Sequence, residues 1–204
     1  MWRASTEHPA AVQDRREQLL RSALRAIADK GAESVRLIDV AQVAGVSIGA
    51  LQHHFGSREA LLLAAYQLRA QETLQAVTAL SDEKSDSWTS LAAIIDYAGS
   101  GEVRDAVLWI ELCASAFRMP TLRPTVDEIN ATWNALISEV VERGLADGTF
   151  TSSLRPELLV EAIDAIIDGM LVAIASGRTG GEDAGPQMLE VIARLAGVSE
   201  RVPT

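Results

Sequence analysis

The sequence predicts an all-α fold: an N-terminal three-helix, helix-turn-helix domain followed by a C-terminal helical bundle, about nine helices in all. Three observations carry that prediction. Apolar residues recur three and four apart over long stretches, as in Leu19, Ala23 and Ile27, and no useful run alternates with period two. Glycine and proline punctuate the chain at helix-length intervals. Between Leu37 and Phe55, residue sizes fall where two short helices and a tight turn need them. There Val40, Ala44, Val46 and Leu51 are the inward apolar positions, and Ala41 is small where the helices approach. Gly45 stands at the reversal, where a left-handed backbone suits glycine, and Ser47 follows as an N-cap.

Taken in order, residues 1 to about 11 read as an arm, with Pro9 barring helix until the next segment. A first helix is expected over Val12–Lys30, its dry face flanked by Leu20, Leu24 and Ala28 and its end marked by Gly31. Two short helices follow at Leu37–Ala44 and Ile48–His54, then a long stalk from Arg58 to about Leu80, capped by Ser57. Ser81–Ser87 reads as a polar hinge. Beyond it, helices are expected at Trp88–Tyr97, Glu102–Phe117, Thr121–Asp147, Pro156–Ser176 and Gly185–Ala196, stopped by the glycines at 99 and 101, by Pro120 and Gly148, and by the 177–185 loop. These elements divide into a helix-turn-helix domain at 12–73, with its motif at 36–55, and a ligand-binding and dimerisation domain at 87–204.

Composition bounds the function. A chain of 204 residues with 48% hydrophobic residues can bury a real core. Its net charge of −10 argues against DNA until it is read by region. Residues 1–60 hold eight basic and seven acidic side chains; residues 61–204 hold ten and twenty-one. No acidic side chain occurs from Val40 to Ser57, so the acidic body has one end suited to phosphate. The single cysteine, Cys113, excludes an internal disulfide and any multi-cysteine metal site. The amino terminus lacks the order of a signal peptide, which places the protein in the cytoplasm.

The run VAQVAGVSIGALQHHFGSREALL from Val40 to Leu63, after a helix ending in Gly31, resembles the DNA-binding domain of the TetR family of transcriptional regulators over residues 13–73. The resemblance implies an all-helical homodimer that represses a promoter until a small ligand binds the larger domain. Two positions depart from the pattern, which favours Thr or Ser where Arg36 stands and an aromatic where Gln52 stands. Arg36 has no side-chain oxygen to cap a helix and is assigned instead to a phosphate. Further along, LWIELCASAFRMPTLRP is similar to the effector domain of the BetI-like branch.

The expected DNA face comprises Arg36, Ser47, Ile48, Gly49, Ala50, Gln52, His53 and Arg58. Gln52 can pair with the adenine edge, Ile48 or Ala50 can meet a thymine methyl, and Arg58 is a phosphate candidate. His53 and His54 point about 100° apart on a helix and lack a third ligand, so a metal site is not expected. No cofactor and no catalytic constellation is expected, so the chain reads as a regulator rather than an enzyme. A helix-turn-helix adaptor answering to a protein partner, and a helical-bundle ligand carrier, remain as alternatives.

For the effector, Trp88, Tyr97, Trp109, Phe117 and Trp133 are five of only nine aromatics and lie within 46 residues. Glu111 and Asp168 interrupt apolar helical runs, which is costly unless they are paired or face a polar cavity. The expected pocket is therefore Tyr97, Trp109, Glu111, Cys113, Phe117, Trp133 and Asp168, where aromatic faces and a carboxylate suit a cation, with ordinary core packing as the alternative. The expected dimer interface is Ile163, Ile166, Ile167, Met170, Leu171, Ile174, Met188, Leu189 and Ile192, on the last two helices. The expected partners are thus a double-stranded DNA operator, a small-molecule effector and a second copy of the chain, with no membrane.

Overall fold

The computed structural model describes residues 9–82, 86–100 and 103–198. Among these the chain forms α1 (Pro9–Lys30), α2 (Leu37–Ala44), α3 (Ile48–Phe55), α4 (Arg58–Asp82), α5 (Ser87–Ser100), α6 (Val103–Arg118), a 3-10 turn (Pro120–Leu122), α7 (Arg123–Ala146), α8 (Pro156–Ala175) and α9 (Gly181–Ala196), with no strand. The all-α expectation holds, and its errors lie at the boundaries. Helix α1 starts at Pro9 instead of after it, because the N–H that proline lacks has no partner in a first turn anyway. The helix expected from Thr121 is split by a 3-10 turn at Pro120–Leu122, after which Pro124 sits in the first turn of α7. Helix α9 begins at Gly181 and carries Pro186 inside it. Most of the expected arm, and residues 83–85 of the expected hinge, lie outside the described residues.

The head is built as its apolar spacing requires. Leu19, Leu20, Ala23, Leu24 and Ile27 of α1 pack on Val40, Ala41, Leu51, Leu61 and Leu62. Gly45 adopts φ +66 and returns its amide to Ala41 and Gln42, so the chain reverses where a side chain would be strained. Ser47 then caps α3, accepting from the Ala50 amide at 3.2 Å, and Ser57 accepts from the Ala60 amide at 3.1 Å in the first turn of α4. The head core does not close on itself. Leu108, Leu112 and Ala116 of α6, with Leu122 and Ile129, belong to the same buried cluster.

A second core gathers α5, α7, α8 and α9 around Leu91, Ile94, Ile137, Val141, Leu159, Ile163 and Ile192. Gly99 lies inside α5 and serves a close crossing: a Cβ there would stand 2.7 Å from the Gly185 nitrogen of α9. This core corrects the expected dimer face. Ile163, Ile167, Ile174, Met188 and Ile192 are buried within the single chain, and Ile166, Met170, Leu171 and Leu189 are half-buried against it. The richly apolar run of α8 is covered on one side by α9 and on another by α6 and α7, which buries Ile163, Ile167 and Ile174 within the chain and leaves Ile166, Met170 and Leu171 partly exposed. Among the residues that α8 and α9 leave exposed are Leu158, Ala165, Gly169 and Val172 on one helix, beside Glu161 and Asp168, and Val191 on the other, between Glu190 and Arg194.

Candidate nucleic-acid interface and effector cavity

Helix α3 is held by Leu51, which is 0% exposed, while Ser47, Ile48, Gly49, Gln52 and His53 lie on the opposite, exposed face. Ala50 is half-buried between them, and His54 and Phe55 are half-buried, with the Arg16 guanidinium 5.4 Å above the Phe55 ring. A Cβ at Gly49 would meet only the Ser47 hydroxyl oxygen, at 3.8 Å, so nothing inside the chain requires glycine there. On α2, Ile38 and Val43 are exposed apolar side chains that the sequence reading did not single out. Among the described residues no group of three or more potential ligands could hold a metal ion.

Arg36 is exposed at the N-terminus of α2, and Asp39 reaches back to accept its backbone N–H at 2.7 Å. The cap comes from the third residue of the helix instead of the residue before it, a pattern legible as an acid three places on. Hydrogen bonds from Lys30 and then from the Arg36 backbone hold the Asp39 carboxyl below the usual carboxylate range.

Arg58 is a correction. Its guanidinium does not face outward: Nε donates to the Val35 carbonyl at 2.7 Å and Nη2 donates to the Glu33 carbonyl at 3.2 Å and to that of Ala32. The loop after α1 has carbonyls without helical partners, and a planar fork at the start of α4 satisfies several of them.

Glu111 is the second correction. It does not line the cavity; its Oε2 accepts from the Ala32 backbone N–H at 2.8 Å, and Gly31 packs against the same carboxylate. Ala32 thus donates its amide to the body helix α6 and gives its carbonyl to Arg58 of the stalk. Arg118 and Arg104 of α6 add ion pairs to Glu33 at 3.8 Å and Asp29 at 3.6 Å. Two further pocket assignments fail because neither residue is among those lining the cavity. Phe117 is 85% exposed, and Cys113 is half-buried outside the lining, its thiol pushed up to about 11 by burial and by the Asp168 charge.

The cavity encloses about 590 Å³ between α4, α5, α6, α7 and α8. Of the residues assigned to it, Tyr97, Trp109, Trp133 and Asp168 line it. The Trp109 indole N–H donates to Asp168 at 3.1 Å, and the Tyr97 and Trp133 rings lie 6.4 Å apart. Sequence reasoning missed Tyr66 and Arg69 of the stalk, Asp105 of α6, Asn134 of α7 and Asp164 of α8. Asp164 lies one turn before Asp168 in the same apolar run, a signal that was present. Burial, then the neighbouring Asp168 charge, pushes the Asp164 carboxyl up to about 6, with Asn134 pulling it down. Arg69 pairs with Asp105 at 3.0 Å. Tyr66 is buried, its hydroxyl makes no well-formed hydrogen bond, Ser115 is the polar side chain near it, and desolvation pushes its phenol up to about 12.

Comparisons with known proteins agree with this geometry. Residues 19–65 match the family model for bacterial regulatory proteins of the tetR family, and residues 89–197 match that for the BetI-type transcriptional repressor C-terminal domain. The HTH-type transcriptional repressor KstR2 of Rhodococcus jostii is 29% identical over 184 residues, 82% of this chain and 81% of that protein. A transcriptional regulator from Saccharomonospora viridis, solved in complex with choline, has the same fold with a TM-score of 0.81 at 22% identity, over 89% of this chain and 96% of that one. FadR from Bacillus subtilis, solved in complex with stearoyl-CoA, gives a TM-score of 0.73 at 20% identity, over 91% of this chain and 98% of that one. No helix among the described residues is long and apolar enough to cross a membrane. With its glycine-hinged α2–α3 pair in the head and its helical body behind, the chain belongs to the TetR family of bacterial transcriptional regulators and carries a BetI-type C-terminal domain.

Proposed function

We propose that this regulator acts as a dimeric repressor that grips an operator with α3 of each protomer and lets go when a small organic molecule fills the cavity. The observation that carries the reading is the two-sidedness of α3. Leu51 anchors one side in the core, while Ser47, Ile48, Gly49, Gln52 and His53 are exposed on a surface without acidic side chains. Arg36 and the free amides at the start of α3 suit phosphates, and Ala50 lies at the edge of the same face. The working division is residues 12–73 as the DNA-binding head and 87–204 as the effector and dimer domain, acting in the cytoplasm as a regulator and not as an enzyme. Relatives that are regulators, one of them solved with choline and another with stearoyl-CoA, support an effector site in the body.

What the fold leaves bare supports a dimer. The stripe Leu158, Ala165, Gly169 and Val172, with Val191 beside it, offers small and apolar residues for helices of a second copy to approach. Two heads also bury enough surface for a specific complex, where one alone is small. Coupling runs through the loop after α1. An effector that repositions α6 against α8 moves Glu111, and Glu111 holds the same loop that Arg58 ties to the stalk. The ligand acts through its unequal affinity for the two arrangements. Selection from random oligonucleotides followed by gel shift tests the reading: a palindromic site is expected to emerge, bound by the ligand-free protein. Enrichment of no sequence overturns it.

A further inference from the structure

The reading above leaves the chemistry of the effector open, and the cavity constrains it. Its volume of about 590 Å³ lies in the range of sites that enclose drug-sized molecules. A cation of choline's size would leave most of this space, walled largely by Leu108, Leu112, Ile129 and Ile167, unfilled. The charges are lopsided as well. Arg69 is the one base among the lining residues described, and Asp105 neutralises it at 3.0 Å. Among the described residues Asp164 and Asp168 have no cationic partner on the α8 wall: Asp164 meets the neutral Asn134 side chain and Asp168 receives the neutral indole N–H of Trp109. An anionic headgroup would meet repulsion there with no free base to offset it.

Resting on the proposal that this cavity is the effector site, we infer that the effector is an amphiphilic organic cation: a positively charged nitrogen against Asp164, Asp168 and the Trp109 ring, and an apolar body several carbons long. The two carboxylates attract the nitrogen, the aromatic faces of Trp109, Tyr97 and Trp133 cover it, and the apolar body displaces water from the walls that choline cannot reach.

Calorimetric titration of the full chain, without DNA, tests this with choline, ω-hydroxyhexyl- and ω-hydroxydecyltrimethylammonium, the neutral tert-butyl counterpart of the longest cation, ω-hydroxydecanoate and stearoyl-CoA. Affinity is expected to rise at least about tenfold from choline to the decyl cation, with the neutral counterpart weaker and both anions silent. Asp164→Asn is expected to collapse the preference for the cation over its neutral counterpart, a ratio that general loss of packing would not change. Tighter binding of either anion, no dependence on chain length, or an intact charge preference in Asp164→Asn overturns the inference. Because no operator is present, this failure is separable from a failure of the DNA reading, which gel shift reports.

Discussion

The head and the body spend their polar groups in opposite directions. In the head, capping and pairing occupy Asp39, held by Lys30 and the Arg36 amide, and also Asp29 and Glu33, while α3 itself carries no acidic side chain. In the body two acids, Asp164 and Asp168, line a cavity while Glu142, Glu157, Glu161 and Glu190 stay on the surface, and burial pushes the Asp164 carboxyl up to about 6. The difference teaches that a net charge of −10 says little about where a protein can touch DNA, because sign is sorted by surface and not by sum. Between the two regions lies α6, whose first part serves the cavity through Asp105, Leu108 and Trp109 and whose later part serves the head through Glu111 and Ala116.

The comparison can be broken most severely at Leu51. Leu51→Ala is expected to cost about 2–5 kcal/mol by opening a cavity under α3, seen as loss of operator binding and as an early unfolding transition of the head by hydrogen exchange. Next in size is Gln52→Ala, expected to weaken the selected operator by about 1–3 kcal/mol and to relax preference at one base position, leaving the unfolding midpoint unchanged. His53→Ala, on the proposal that this exposed imidazole donates to a phosphate, is expected to weaken all sequences alike and to lower the salt dependence. If neither substitution changes binding, the orientation assigned to α3 fails.

Glu111→Gln sharpens the link between the regions. It removes a charged acceptor from the Ala32 amide, expected to cost about 1–2 kcal/mol of coupling, so that effector still binds but releases DNA less completely. An unchanged release curve would locate the coupling elsewhere. The smallest effect concerns Asp164. A carboxyl raised to about 6 from 3.8 stabilises the fold while protonated, below about pH 4, and that contribution is lost as pH rises through about 6. Asp164→Asn is therefore expected to raise the ligand-free melting temperature by about 2 °C at pH 8 and not at pH 4, after allowing for its partial exposure. By the same titration, a cationic effector is expected to bind more weakly below about pH 6, with Asp168 beside Asp164 and the Arg69–Asp105 pair facing the same space.

Much of the head was readable in advance because its determinants are local. Gly45, Ser47 and Ser57 act on backbone groups within a few residues, and Leu51 is inward by helical period alone. Arg58 was misread because its partners, the carbonyls of Ala32, Glu33 and Val35, lie more than twenty residues away and carry no side-chain signature. The same holds for Glu111, whose partner is a backbone amide 79 positions earlier. An acid in an apolar run announces that it needs a partner but not which one.

What the sequence by itself determined is the helix-turn-helix: periodicity and chain reversal are properties of neighbours, so glycine, serine and leucine at the right spacing leave α2 and α3 one arrangement. Tertiary structure alone decided which apolar face of α8 is core and which is bare, and which acids of the body meet in one cavity. Those choices depend on how α4, α6, α7 and α9 surround α8, an arrangement set by close packing between helices distant in the chain.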